Sequence, residues 1–123
     1  MLIVQITHNF FTHGGVMKRA RQETLALLEA GHQVIVITNL RWTSHMYQFK
    51  KYSKKLLIIP VKTIFLYGFR NISSQLSFTI KSFFALRKIV ELYEPDLIVS
   101  HQALASYAIV PIAKKRGIPC ALV

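Results

Sequence analysis

Apolar positions along the chain alternate between short unbroken runs and longer stretches where they recur every three or four residues. Leu2 to Thr7 is a short, β-branched apolar run, the pattern of a parallel strand buried on both faces. From Val16 to Ala30 the spacing is helical, with Met17, Ala20, Thr24, Leu27 and Leu28 on one side. Gly31 stands where a left-handed cap would end that helix. Gln33 to Thr38 (QVIVIT) is again strand-like, whereas residues 39 to 55 are polar, basic and aromatic without a period and predict a long excursion. Leu56 to Val61 (LLIIPV) predicts a third strand, and Pro60 assigns it to a strand end or a sheet edge. Lys62 to Asn71 carries no clear pattern. Beyond it the spacing predicts a long helix over Ser74 to Tyr93, stopped by Pro95, and a strand over Asp96 to Ser100 (DLIVS). A helix over Ala103 to Arg116, ended by Gly117, and a last strand over Ile118 to Val123 (IPCALV) complete the series.

Strands alternating with helices predict an α/β fold: a Rossmann-like, mainly parallel sheet with right-handed crossovers and helices on both faces. The 123 residues make one domain, and with 52% of them apolar it can bury a core without disulfides. Cys120, the lone cysteine, is expected as a small buried hydrophobe in the last strand. There is no internal repeat, low-complexity tract or interdomain linker. The chain stops on a strand of buried type, whose open edge would invite pairing, and this predicts that the sequence continues in the full protein.

Charge adds a partner to the picture. The formal charge is +11, and no acidic residue lies between Glu29 and Glu91. Arg41, Lys50, Lys51, Lys54, Lys55, Lys62, Arg70, Lys81, Arg87 and Lys88 all fall in that interval. Such a one-sign stretch implies nucleic acid, an anionic membrane or phosphorylated substrates. Trp42, Tyr47, Phe49 and Tyr52 interleave with lysines but form no nucleic-acid-binding motif, so a nucleic-acid partner is not expected. No apolar run approaches the ~20 residues that span a bilayer. The start reads as a strand, without the basic region and cleavage site of a signal peptide. The expected location is cytoplasmic, or peripheral at the cytosolic membrane face.

The long helix bears on that choice. Leu76, Ile80, Phe83, Leu86, Ile89, Val90 and Tyr93 make a wide apolar face that is expected to be buried. The opposite stripe runs Ser77, Lys81, Phe84, Lys88. An aromatic ring between two lysines has two readings. In one, the helix lies at a membrane interface, inserting Phe84 while the lysines meet anionic lipid. In the other, which the need to bury the helix favours, Phe84 packs against residues 39 to 73.

Two places are suited to chemistry. The first strand-to-helix turn, from Thr7 to Val16, holds Gly14 and Gly15. Ligands of open α/β sheets collect outside the carboxyl ends of strands. Adjacent glycines there allow close backbone approach, and the N–H groups opening the next helix attract anions. The turn lacks the G-x-G-x-x-G dinucleotide fingerprint, and Thr38-Asn39 stands where an acid would end the second strand. It also lacks the spacing of a Walker loop. On spacing alone it serves equally as a turn that only reverses the chain. The second place is His101, at the end of the Asp96 strand on the same carboxyl edge, where a structural role is as open as a binding one. His8 and His13 lie in the first loop but imply no metal site. No nucleophile triad or paired carboxylates are present, so catalytic residues are unassigned. Glu23, Glu29, Glu91, Glu94 and Asp96 fall on helix surfaces or a turn, most of them expected in solvent.

Taken together, the opening strand, the aromatic loop, Gly14-Gly15-Val16, the helix ending Glu29-Ala30-Gly31-His32 and the strand Gln33 to Thr38 resemble the start of the retaining GT-B glycosyltransferases of family 4. Pro95 to Ser106 and Lys114 to Pro119 extend the resemblance over nearly the whole chain, in the same order and spacing. The resemblance implies one half of a GT-B fold: residues 1–123 as the N-terminal, acceptor-side domain, with a C-terminal donor-binding domain absent. It implies a hexosyltransferase-type enzyme that moves a sugar from a nucleotide diphosphate sugar to an acceptor, a lipid-linked one among the possibilities, with neither metal nor cofactor. The chain alone is then expected to be inactive. Gly14 and Gly15 match the loop that approaches the donor. His101 matches the second His of a strand-end His-x-His that contacts the donor sugar, and Val99 replaces the first. The competing expectation is a non-catalytic nucleotide- or phosphate-binding Rossmann module.

Overall fold

The computed structural model describes residues 1–7, 15–39, 49–61, 70–101 and 103–122, with the backbone alone at 15, 16, 70–74 and 103–106. Its elements run β1 (Leu2–Ile6), α1 (Gly15–Glu29), β2 (Gln33–Asn39), β3 (Leu56–Val61), α2 (Arg70–Tyr93), β4 (Leu97–Ser100), α3 (Ala103–Arg116) and β5 (Cys120–Leu122). Five strands form one sheet in the order β3-β2-β1-β4-β5, every neighbouring pair parallel. The fold class is as the alternating pattern predicts, a Rossmann-like sheet covered on both faces. Pro60 sits in β3, an edge strand, where its missing N–H removes no bond from the middle of the sheet.

Parity along the strands divides the core in two. Val4, Ile6, Ile35, Ile37 and Ile98 face α2 and α3, packing with Phe78, Leu86, Ile89, Val90, Ile109 and Ala113. Val34 and Val36 face α1, with Ala20, Leu28 and Phe49. Each such side chain, fully buried, contributes about 1.5–3 kcal/mol before the cost of ordering it. Gly31 (φ 92°) and Gly117 (φ 67°) end α1 and α3 in the left-handed conformation that only glycine adopts freely. In both, two crossed bonds close the last turn: Gly31 N–H to Leu28 O with His32 N–H to Leu27 O, and Gly117 N–H to Lys114 O with Ile118 N–H to Ala113 O.

Three expectations change. The buried face of α2 is rotated from the expected one: Phe78, Ser82, Leu86, Ile89 and Val90 point inward, while Leu76, Ile80 and Tyr93 are exposed. Apolar residues surround so much of this helix that periodicity does not select one face. Ser82 fits inside because its hydroxyl donates back to Phe78 O at 2.6 Å, removing the penalty of a buried polar group. Phe84 is likewise exposed, its ring meeting Phe83 edge-on at 5.4 Å, so the packed reading of Phe84 does not hold. Cys120 is only half-buried and Ala121 and Leu122 are exposed, because β5 is an edge strand paired to β4 alone.

Candidate functional site

The chain leaves β1 toward β2 and β3 on one side of the sheet, whereas β4 and β5 lie on the other. Between β1 and β4 the strand order reverses, and the crevice above their carboxyl ends is where open α/β sheets take ligands. Thr7 and His101 each stand one residue beyond those ends. Thr7 N–H donates to Ile37 O of β2 and His101 N–H to Ile6 O of β1, both at 3.0 Å, so the ladder continues past the last paired residues and holds the two backbones side by side. Gln5 pairs with Val36 and Val99 and therefore shares the α1 face. Two residues on, Thr7 and His101 have the same parity.

All three side chains are buried, and Gln5 Oε1, Thr7 Oγ1 and His101 Nε2 have no hydrogen-bond partner among the described residues. Such groups are rare in folded proteins and collect where a structure serves something besides stability. Beside them β2 ends in buried Thr38 and Asn39, the Thr38 hydroxyl donating to Asn39 Oδ1 at 3.4 Å.

Helix α1 covers the His101 ring. Glu23 Oε2 lies 3.7 Å from His101 Nε2, and Glu23 Oε1 is 3.3 Å from Arg19 Nε. Burial pushes the pKa of His101 below its ordinary 6.5, with the Glu23 carboxylate opposing and the Arg19 charge reinforcing the fall. The ring is thus neutral near pH 7, and its contact with Glu23 becomes an ion pair only on protonation. Arg21, also on α1, is buried, and its guanidinium is held below its ordinary range by desolvation.

Of the residues singled out in the sequence, His101 lies at the reversal edge and Gly15 opens α1. Gly14, His8 and His13 lie outside the described residues. Sequence reasoning passed over Gln5, Thr7 and Glu23. Gln5 is a lone polar residue in an otherwise apolar run (LIVQI), and Glu23 lies one helical turn from inward-facing Ala20. Those signals were present, but neither says what the residue faces. Asp96, by contrast, is a clasp at the opposite edge: Oδ2 accepts from Leu2 N–H and its own N–H donates to Leu2 O, both at 2.8 Å. No group of three His, Cys, Asp or Glu able to hold a metal occurs among the described residues.

The structure is similar to the C-terminal domain of a Pyrococcus furiosus hydrogenase, with 14% identity and a TM-score of 0.75 over 99% of this chain and 90% of that one. It is also similar to a glycosyltransferase from Rickettsia africae (17% identity, TM-score 0.62, 98% of this chain and 28% of that one). A third likeness is to MurG of Acinetobacter baumannii (14% identity, TM-score 0.60, 98% of this chain and 33% of that one). At these identities the likeness shows the fold alone, one Rossmann-like half of GT-B. The chain spans only 28% and 33% of the two glycosyltransferases. A comparison with curated proteins finds no match. The model of glycosyltransferase family 4 matches residues 13–123, nearly the whole chain, and the protein belongs to that family.

Proposed function

We propose that this domain forms the acceptor side of a retaining, hexosyltransferase-type enzyme that moves a sugar from a nucleotide diphosphate sugar to an acceptor at an anionic membrane surface. The Gly14-Gly15 turn and His101 would form one site on the donor. A second domain beyond Val123 would complete the cleft and supply the clamp on the leaving diphosphate, without which the chain has no transfer activity. The observation that carries the reading is the pair of buried, unpartnered polar side chains, Thr7 and His101, side by side where the strand order reverses. In this reading the N–H groups that open α1 at Gly15 meet donor phosphate, and the His101 ring meets a sugar hydroxyl.

Support for a membrane acceptor comes from α2. Leu76, Ile80 and Phe84 form an exposed apolar stripe at four-residue steps, and exposed Arg87 and Lys88 follow one turn on. No helix among the described residues is long and apolar enough to cross a membrane, so contact through this part would be peripheral. Membership of the family favours this reading over the competing module without transferase activity.

The test is sugar transfer by the polypeptide that includes the second domain. Gly15→Val is expected to abolish transfer by adding bulk where a ligand meets backbone. His101 is too buried for truncation to be neutral, so His101→Gln is the better probe and is expected to slow transfer about fivefold, the loss of one hydrogen bond of ~1 kcal/mol. Unchanged transfer in both variants, with both folded by thermal melt, would remove these residues from the donor site.

A further inference from the structure

The ring of His101 is buried but takes no defined tautomer from β1 or β4. Its backbone is tied to Ile6, its side chain is 1% exposed, and Nε2 finds no hydrogen bond among the described residues. A neutral imidazole carries one proton, and the nitrogen that holds it decides which nitrogen is left to accept. The approaching acceptor is Glu23, with Oε2 3.7 Å from Nε2. That separation is about half an ångström beyond an N–H···O bond. The Glu23 side chain is 37% exposed and so has room to move, while Arg19 Nε lies 3.3 Å from its other oxygen.

From this geometry we propose that Glu23 is a positioning residue that closes onto Nε2–H of His101, selects that tautomer and leaves Nδ1 as the ring's acceptor. A ligand hydroxyl would then be met as a donor at Nδ1. The proposal deepens the reading of His101 as a sugar contact and rests on it for its purpose, but not for its test. Arg19, Glu23 and His101 form a chain in which each polar group orients the next, the logic by which a carboxylate fixes an imidazole in many enzymes. Among the described residues the charged groups acting on the ring are Glu23 and Arg19, both on α1. The adjoining strands bring Gln5, Thr7 and Ser100, none of which titrates. Burial that holds the ring neutral agrees with a hydrogen-bonded orienting role for the carboxylate, as opposed to a permanent ion pair.

The experiment is long-range 1H–15N NMR of the imidazole rings in the 15N-labelled chain, without any sugar nucleotide, the His101 signals being those lost in His101→Gln. In the wild type His101 is expected as the Nε2–H tautomer at neutral pH. In Glu23→Leu that preference is lost and the ring titrates at lower pH, since the one charge favouring protonation is gone. In Glu23→Gln the amide oxygen still accepts from Nε2–H, so the tautomer is kept while the titration midpoint falls as in Glu23→Leu. A Glu23 that only lies near the ring would shift the titration through its charge and leave the tautomer unchanged, so the tautomer in Glu23→Leu is the deciding signature. Predominance of Nδ1–H in the wild type would overturn the proposal, as would an unchanged tautomer in Glu23→Leu with backbone spectra intact. Failure of sugar-nucleotide binding, measured separately, would leave this result standing and count against the donor reading alone.

Discussion

If α2 meets a lipid surface, substituting Phe84 by Ser should weaken binding to anionic vesicles while leaving the fold almost untouched. The ring is 56% exposed, so roughly half of the 1.5–3 kcal/mol available from burying a large apolar side chain remains to be gained at an interface. That is about 0.8–1.5 kcal/mol, or about 4- to 13-fold in affinity. Arg87 and Lys88, one turn along the same helix, add about 1 kcal/mol each near an anionic surface, and this part fades as the screening length drops from ~8 Å at physiological salt to ~3 Å at 1 M. Glu91 is the acid of this helix, 3.8 Å from Arg116, and so does little to cancel them. Folding should change by no more than about 1 kcal/mol, since the ring is exposed and its aromatic partner among the described residues is its edge-on neighbour Phe83. Sedimentation with phosphatidylcholine vesicles, with and without phosphatidylglycerol, measures both contributions, and a thermal melt of each protein controls for folding. Equal binding to the two vesicle types would refute the electrostatic part. Unaltered binding of Phe84→Ser to the anionic vesicles would refute insertion of the ring.

Two further outcomes follow from the buried polar groups. Gln5→Met keeps the shape of the side chain and removes an unpartnered acceptor, so it should stabilise the fold by about 1 kcal/mol, a rise of about 3–5 °C in Tm; a lower Tm would mean that Gln5 has a partner it needs. His101 has a folded-state pKa below 6.5, so the unfolded chain binds its proton first: the stability held above about pH 6.5 declines on acidification until the folded pKa is passed. Urea unfolding across that range should show His101→Gln declining less than the wild type, by up to about 1.4 kcal/mol per pH unit between the two pKa values, and parallel curves would contradict the neutral buried ring.

The strands and helices were legible in the sequence because their signals are local. Runs such as QVIVIT can bury only as central parallel strands, and Gly31 and Gly117 mark ends that a left-handed residue must make. A mainly parallel sheet followed from the alternation of strands and helices, whereas the order β3-β2-β1-β4-β5 came only with the structure. The inward face of α2 did not follow, because a helix with apolar residues around most of its circumference gives several equivalent faces, and the choice falls to tertiary packing: Phe78, Leu86, Ile89 and Val90 join the core while Leu76 and Ile80 stay exposed. The surplus apolar surface, Leu76, Ile80 and Phe84, was for the same reason invisible as a patch.

Of the proposed site, His101 could be singled out from the sequence and its neighbours could not, and the difference is one of range. A His placed just after a strand is a positional signal. Gln5 in β1 and Glu23 in α1 acquire meaning only when the right-handed crossover from β1 to β2 lays α1 against β2 and brings Glu23 beside His101. Before that step Glu23 is one acid on an amphipathic helix. After it, a carboxylate lies beside a buried imidazole, next to two further polar side chains without partners. A fold selected for stability alone would fill these positions with the Val and Ile that occupy the rest of β1, because each buried unpaired group costs about 1–3 kcal/mol. Buried polar groups occur elsewhere too, but Ser82 and Thr24 satisfy themselves by bonding back to their own helices. The unsatisfied ones cluster on one face at the reversal between β1 and β4. Their concentration there, more than the identity of any one residue, is what supports the proposed ligand at that edge.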